Sequence, residues 1–584
     1  MTRRASILAY GLVIAVVLLG LQSWSIAVGR VEQRVIAAIE LRTGLEVTGI
    51  ERAEIALLPL PRISLSKVTF RQHDDLLTGS ALRIKARARI LPLLIGQFRF
   101  DRIELVVPQI DVAVAGTDDG LGDWLTPPLA YLERLKVQSR IIITAGSVFM
   151  RAQGVIRTIL RDVNLVLQDR DADEPLSLSG SLTWRGVPTQ VSLLWPMAGA
   201  NARLALTAAS PVMNLQFEGI RSGLNDPVVN GRLSLATKAL PELLGWFGET
   251  PRLASAIGPL HLTADAQIKP HEASLSNAIV SLEGERLEGA IKLGDVGGRL
   301  ALSGTLAGAT LDLGRLYGRL GLLPAAAPEN ESAPLDFDAW TAHDIDLRIS
   351  VDAARVNGAR LDDVATYLLI KKGRFEAGLL RASAYGGAVK GRFLALAAPG
   401  GVDVKLQGGF DKVNLGKAAG DVPDLAKLSG TGTLQIALDG LGASFEEVVA
   451  SLSGKAGLSL RQGELGGVAF GELLRRMERN PSLVLRDWRQ GKTPFDMAAI
   501  NLGVANGVAM VTDAQMIGPG YQLTLAGQVS LPGRAYEMGL LLTPSNGPLR
   551  LPFTLKGPLD NPTLDLDTET LSRGATAFPT QLLR

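Results

Sequence analysis

The chain has 584 residues, enough for several domains, and its 47% hydrophobic and 20% charged content is that of a folded protein. Sixty basic residues stand against 58 acidic ones, and a net charge of +2 argues against a nucleic-acid binder, which would carry a basic stripe. With no cysteine, the chain has no disulfide, thiolate metal site or cysteine nucleophile, and the absence suits either side of a membrane.

Residues 5–29 run without a charge. At about 1.5 Å per residue, a helix of this length crosses a hydrocarbon core of roughly 30 Å. The stretch therefore reads as a single transmembrane anchor behind a four-residue N-terminus (residues 1–4), with Trp24 at headgroup level near its far end. The alternatives are a cleaved secretory signal, whose apolar region is usually about 7–15 residues, and a buried helix. Arg3 and Arg4 precede the span and Arg30, Arg34 and Arg42 follow it, so charge alone leaves the orientation open. No other apolar run is long enough, and the remainder reads as one large body tethered at its N-terminus.

From about residue 45 the pattern has period two. Leu82, Ile84, Ala86, Ala88 and Ile90 alternate with Arg83, Lys85, Arg87 and Arg89, and Ile103, Leu105 and Val107 with Arg102 and Glu104. Val163, Leu165 and Leu167 share a face. Ile345, Leu347, Ile349 and Val351 oppose Asp344, Asp346, Arg348 and Ser350; Val402, Val404 and Leu406 oppose Asp403, Lys405 and Gln407; then come Leu434, Ile436 and Leu438, and Leu523 and Leu525. Strands with one dry and one wet face have this signature, and the glycine-containing turns between them suit an antiparallel meander. The expected fold is mainly β: a long, twisted antiparallel sheet with a few short helices.

Five stretches carry helical signals. They are Leu121–Val137, interrupted by Pro127 and Pro128; Leu240, Leu243, Leu244 and Phe247; and Leu311, Leu313, Leu316 and Leu320, weakened by Gly314 and Gly318. Ser444 to Glu447 form a capping box opening a helix through Leu452. Phe470, Leu473, Leu474 and Met477 mark an amphipathic helix within 465–478, with Arg475, Arg476 and Arg479 on its other side. The proline- and alanine-rich stretch 323–335 reads as a flexible linker between β domains at 30–322 and 336–565, with a loosely ordered tail at 566–584.

Signals for catalysis are weak. His73, His261, His271 and His343 are scattered, and His343 beside Asp344 and Asp346 reads as a group of solvated polar residues. Gly491-Lys492-Thr493 echoes a phosphate loop, but Arg486 occupies the position of the leading glycine and a strand pattern follows where a helix should. No Gly-x-Ser-x-Gly or His-Glu-x-x-His motif occurs. No cofactor and no metal is expected. Arg83, Lys85, Arg87 and Arg89 are either a solvated face or a surface drawn to anionic headgroups.

Two regions resemble the AsmA family of bacterial envelope proteins. The first runs from Thr43 to Phe70 (TGLEVTGIERAEIALLPLPRISLSKVTF) and from Ala81 to Val112 (ALRIKARARILPLLIGQFRFDRIELVVPQIDV), closing at Gly122-Asp123-Trp124-Leu125. The second includes Tyr385–Phe393 (YGGAVKGRF), Gly430–Leu474, Lys492–Asp513 and Leu551–Asp567, where LPFTLKGPLDNPTLDLD closes the pattern. The stretch of about 140–320 adds no motif. The resemblance implies a single N-terminal helix in the inner membrane and a β body in the periplasm. It also implies likeness to larger bridge-like proteins whose strands form a gutter-shaped sheet with an apolar lining, active in outer-membrane biogenesis and lipid transport. Roughly 25–30 strands at about 4.8 Å would run roughly 120–145 Å.

On that reading Leu82, Ile84, Ile103, Leu105, Ile345, Leu347, Ile349, Val404, Leu434, Ile436, Leu523 and Leu525 are candidate groove-lining residues; the alternative is a closed sandwich core. The expected function is non-enzymatic: phospholipid acyl chains carried or shielded along an apolar β-groove between inner and outer membrane. The alternative is a periplasmic assembly or scaffold factor that binds outer-membrane proteins by edge-strand pairing. The expected partners are membrane lipids and, on the second reading, envelope proteins, with no nucleic acid.

Overall fold

The computed structural model describes residues 45–56, 61–72, 77–94, 99–114, 140–152, 155–168, 176–195, 202–223, 228–247, 257–269, 272–296, 299–315, 332–479, 491–547, 550–559 and 563–569, with Leu58, Leu60 and isolated positions before residue 45. The chain is mainly β with few helices, as the period-two pattern predicts. It divides into two compact units, the first made of residues 1–250 and 258–283 and the second of 251–257 and 284–584.

The first unit holds β1 (Trp24–Ser25), β2 (Glu46–Gly49), β3 (Arg52–Ala56), β4 (Arg62–Arg71), β5 (Leu77–Ala88), β6 (Phe100–Val114), β7 (Arg140–Ala152) and β8 (Val155–Gln168). It continues with β9 (Leu176–Trp184), β10 (Val187–Trp195), β11 (Ala202–Ala209), β12 (Met213–Ser222), β13 (Val228–Thr237), β14 (Leu260–Lys269) and β15 (Glu272–Leu282). Helices α1 (Ile90–Leu94) and α2 (Leu240–Phe247) lie between strands.

The second unit holds β16 (Glu285–Asp295), β17 (Leu300–Asp312), β18 (Asp344–Val356), β19 (Ala359–Lys371), β20 (Arg374–Ala384), β21 (Gly387–Ala398), β22 (Gly401–Asn414) and β23 (Thr431–Gly442). After these come β24 (Ser453–Gly466), β25 (Lys492–Ala505), β26 (Val508–Gly518), β27 (Tyr521–Ser530), β28 (Ala535–Pro544), β29 (Leu551–Pro558) and β30 (Thr563–Leu566). Its helices are α3 (Phe337–Trp340), α4 (Leu415–Ala418), α5 (Phe445–Ser451) and α6 (Phe470–Arg479).

In the first unit β1 pairs with β3 and β2 with β4; from β3 onward successive strands within each unit pair antiparallel, with two exceptions. Strands β6 and β7 pair in parallel from Arg102–Arg140 to Val114–Ala152, and β17 and β18 from Ala301–Asp344 to Asp312–Arg355. A parallel pair needs a crossover of a dozen or more residues, and the chain supplies 115–139 and 313–343 at these two places. The stretch 323–335 thus lies in the connection between two directly paired strands. Asparagine-glycine dipeptides close two hairpins: Asn357-Gly358 and Asn506-Gly507 both hold positive φ, as a two-residue type I′ turn requires.

The predicted anchor at 5–29 lies outside the described residues except for Gln22 and β1, where Trp24 pairs with Ile55 and Ser25 with Glu54. Among the described residues no helix is long and apolar enough to cross a membrane. The stretch 121–137 and most of the tail at 566–584 also lie outside them. The stripe from Leu240 forms α2, and the capping box opens α5, where the Ser444 side chain accepts from the Glu447 amide at 3.2 Å and Glu447 accepts from the Ala443 amide at 2.7 Å. Leu311 belongs to β17, the chain turns helical at Leu313, and Leu316 and Leu320 lie outside the described residues; Leu465 belongs to β24, so helix α6 begins at Phe470.

The alternation shifts by one residue part-way along many strands. Lys67 in β4, Val107 in β6, Ala145 in β7 and Asp162 in β8 hold φ between 48° and 52°. On β4 the buried positions change from Ile63 and Leu65 to Val68 and Phe70, and on β5 from Ala81 to Ile84, Ala86 and Ala88. The flanking pairs Ser66–Arg83 and Val68–Ala81, then Arg83–Val106 and Ala81–Pro108, put Lys67, Leu82 and Val107 on one line across the strands. One extra residue per strand at the same level keeps the apolar side chains on one face, while each bulge bends its strand and sharpens the twist. Backbone groups freed at the line find side-chain partners: the Ala145 amide donates to Asn164 Oδ1 at 3.0 Å. The second unit repeats the device at Asp363, Lys412 and Gln462, and there the Lys412 amide donates to Thr433 Oγ1 at 3.2 Å.

A β-branched residue in the left-handed region costs about 1–2 kcal/mol, and Val107 is exposed enough that its side chain returns little of it. Val107→Gly is therefore expected to raise stability by about 1 kcal/mol in urea denaturation. Val112→Gly, fully buried in the same strand, should lower it by about 2–4 kcal/mol.

Candidate apolar face

Residues directly opposite in a ladder share a face, so the register traces side-chain rows that run across the strands. In the second unit one row passes through Leu306, Ile349, Thr366, Leu379, Gly391, Gly408, Ile436, Ala456, Leu502 and Val511. The next passes through Gly304, Leu347, Leu368, Ala377, Phe393, Leu406 and Leu438. A third joins Ile345, Ile370, Phe375, Ala395 and Val404, and a fourth Phe410, Leu434, Leu458, Ile500 and Ala514. Thr366 is the sole polar side chain in these four rows, and its hydroxyl donates to the Gly378 carbonyl at 2.9 Å.

Exposure separates two parts of this face. Across β18–β25 it is largely half-buried: Ile345, Leu347, Ile349, Val404, Leu434 and Ile436 all are, and Leu406 is 42% exposed, while in the third row Ile370, Phe375 and Ala395 are buried in a cluster with Phe337 and Trp340 of α3. Gly391 and Gly408 oppose each other so closely that a Cβ on Gly408 would stand 2.9 Å from Gly391 Cα, which leaves a dent floored by backbone. Across β27–β29 the same face is closed. Tyr521, Leu523, Leu542, Leu551 and Phe553 are at most 2% exposed, and they share a cluster with Phe470, Leu473 and Leu474 of α6.

In the first unit two rows run side by side through the strands. One holds Ile55, Ile63, Ala86, Ile103, Ile141, Leu167, Leu178, Leu193, Leu206, Phe217, Leu233 and Ala264. The other includes Leu65, Ile84, Leu105, Ile143, Leu165, Gly180, Val191, Ala208, Leu215, Leu235 and Leu262. Toward β4–β8 these side chains are mostly buried in one cluster with Phe70 and Phe100. Around α2 a second cluster forms, where the Trp246 indole donates to the Trp184 carbonyl at 2.8 Å.

Eleven of the twelve sequence-predicted lining residues thus fall on apolar faces: Ile84, Ile103 and Leu105 in the first unit, and Ile345, Leu347, Ile349, Val404, Leu434, Ile436, Leu523 and Leu525 in the second. Leu82 does not. It sits on the bulge line, 57% exposed, where the alternation changes phase. The neighbours that complete the rows at Gly391, Gly408, Ala377 and Ala456 escape a sequence reading, because glycine and alanine carry no period-two signal.

The opposite face is polar and internally paired. Lys85 meets Glu104 at 3.4 Å and Arg87 meets Asp101 at 2.6 Å, so half of the basic edge at Arg83, Lys85, Arg87 and Arg89 is matched by carboxylates of β6. An open polar depression of about 480 Å³, lined by Thr69, Arg71, Thr78, Ser80 and Gln109 among others, lies on this side of the first unit. Asp344 pairs with Arg299 at 2.7 Å, and Arg348 stands 3.9 Å from Asp346. The phosphate-loop echo has a structural use: Thr493 Oγ1 accepts from the Phe470 amide at 3.0 Å and donates to the Val468 carbonyl at 2.7 Å, holding the start of α6. Lys492 pairs with Glu464 at 3.0 Å.

Glu376 is a buried charge on this polar side. Tyr367 donates to it at 2.7 Å, Arg392 at 2.8 Å and Arg374 at 2.5 Å, so it ties β19, β20 and β21 together. Burial favours its protonated form, but the bonds from Tyr367, Arg374 and Arg392 outweigh burial and hold the carboxyl at about 2.

The AsmA family model matches residues 325–514, which span β18–β25 and most of β26. The match covers much of the second resembling region and leaves out the first, at 43–125. No curated protein and no solved structure matches the chain.

Because the folded pKa of Glu376 lies below its ordinary 4.5, its contribution to stability is present above about pH 4.5 and is lost as the pH falls toward 2. Glu376→Gln leaves two guanidinium groups without their shared carboxylate. It is expected to cost about 2–4 kcal/mol at pH 7 and to flatten the acid limb of the stability curve, read by urea denaturation at stepped pH.

Proposed function

We propose that the chain, which matches the AsmA family model over residues 325–514, carries or shields lipid acyl chains along the apolar face of its sheet, without catalysis. One observation carries this reading: unbroken apolar rows cross successive strands of β18–β25 with most of their side chains left half-buried. A sandwich core would bury them under a second layer; an acyl chain laid along a row replaces that layer. Removing one methylene from water is worth about 0.8 kcal/mol, so a shallow face lowers the cost of moving a chain through an aqueous gap. Rows that run perpendicular to the strands offer the chain a path that crosses no polar side chain other than Thr366.

On this proposal the charge-free stretch 5–29 anchors the protein in the inner membrane, the β body occupies the periplasm, and phospholipid is the cargo. The rival reading is an assembly factor that captures proteins at a sheet edge.

Photocrosslinking in native membranes separates the two. A photoreactive residue at Leu347 or Ile436 is expected to yield lipid adducts, and one at Arg348 or Gln435, on the polar face, to yield none. Protein adducts without lipid at the apolar positions would favour the assembly factor. Leu347→Asp places a carboxylate in the second row and should cut lipid adducts at Leu368 by about tenfold or more, with an unchanged circular dichroism spectrum.

A further inference from the structure

Helix α6 covers the end of the apolar face through a segment that leaves and rejoins the sheet at one point. Strand β24 ends where Gly466 pairs with Lys492 of β25, and beyond that pair the Gly467 amide donates to the Gly491 carbonyl at 2.9 Å. Both glycines hold positive φ, 92° and 119°, so the two stems turn away from the ladder side by side.

From those stems α6 lies on the apolar face. Phe470 meets Phe553 edge-on with ring centroids 5.6 Å apart, a Cβ at Gly471 would stand 3.8 Å from the Tyr521 ring, and Leu473 and Leu474 are buried in the same cluster. Arg475 points to solvent. The residues beneath, Leu460, Ala498, Met516, Leu523, Leu542 and Leu551, are successive ladder partners, and their row lies beside the half-buried one through Leu434, Leu458 and Ile500. The face is therefore half-buried along one row and closed by a helix along the next. A helix of ten residues is marginal by itself in water, so α6 keeps its form through docking, and its N-terminal turn is tied down by the two hydrogen bonds of Thr493.

We propose that α6 is a displaceable lid, occupying with Phe470, Leu473 and Leu474 the surface that an acyl chain takes when the helix lifts on its Gly467–Gly491 stem. The lid rests on the lipid-carrier reading and adds to it a place where loading is controlled. When closed, it stops a chain before β27; when lifted, it extends the open face to β29.

The chain has no cysteine, so introduced pairs report alone. Spin labels at Arg475→Cys on α6 and Gln522→Cys on the polar face of β27 give the lid distance by pulsed electron spin resonance. A phosphatidylcholine with a photoactivatable acyl chain reports occupancy as adducts to tryptic peptides containing Ile436 and Leu525. The lid predicts that phosphatidylcholine vesicles lengthen the distance and that adducts form at both peptides. Thr493→Val, isosteric but without the helix-holding hydroxyl, should raise the Leu525 adduct several-fold, and Thr493→Ser should restore the wild-type yield. Adducts at Ile436 with an unchanged distance and none at Leu525 would overturn the lid and leave the carrier standing. Adducts at neither peptide would overturn both.

Discussion

The structure depends on strict ladder register between neighbouring strands. A period of two makes each strand two-faced, but only register turns two-faced strands into rows. A one-residue slip between β22 and β23 would set Leu406 and Gly408 against Ala437 and Gln435 instead of Leu438 and Ile436. The row through Ile349 and Ile436 would then end on a polar side chain. The bulges obey the same constraint. An extra residue in one strand alone would break every row it meets; at Lys67, Leu82 and Val107 the extra residues stand in line, and the rows continue on both sides.

Charge and packing are divided between the faces accordingly. The polar face satisfies itself through short-range pairs such as Arg87–Asp101 and through the buried Glu376, which binds three strands where a side chain on the apolar face cannot. The apolar face is left to hydrophobic contact and is closed where other elements lie on it: α6 over β27–β29, α3 over Ile370, Phe375, Ala395 and Val402, and α2 with Trp184 in the first unit. Away from these helices, across β18–β25, most side chains remain half-buried, and the family match falls on those strands.

Much of this is legible in the sequence, because the dominant signal is local. Alternation at Ile345–Val351, at Val402–Leu406 and at Leu434–Leu438 locates strands and faces together, and the capping box at Ser444 marks α5. What stays hidden is what alternation cannot encode. Leu82 follows the pattern of Ile84, yet it sits on a bulge line set by Lys67 and Val107 on neighbouring strands. The parallel pairs β6–β7 and β17–β18 are equally invisible, since a strand's pattern is the same whichever way its neighbour runs. Thr493 resembles part of a phosphate loop because the sequence does not show that its hydroxyl meets the Phe470 amide 23 residues away.

The most direct test of the central claim, that the rows across β18–β25 are an open surface used by lipid, is the accessibility of one side chain. Ile436→Cys in the otherwise cysteine-free full chain is labelled with a maleimide, with Gln435→Cys as the polar-face control, in the absence and presence of phospholipid vesicles. The account predicts that both introduced thiols react without lipid and that phospholipid protects only the one at position 436. A folded Ile436→Cys protein whose thiol never reacts would show a closed core. One whose thiol reacts equally with and without lipid would show a face that lipid does not use. Either result contradicts the account.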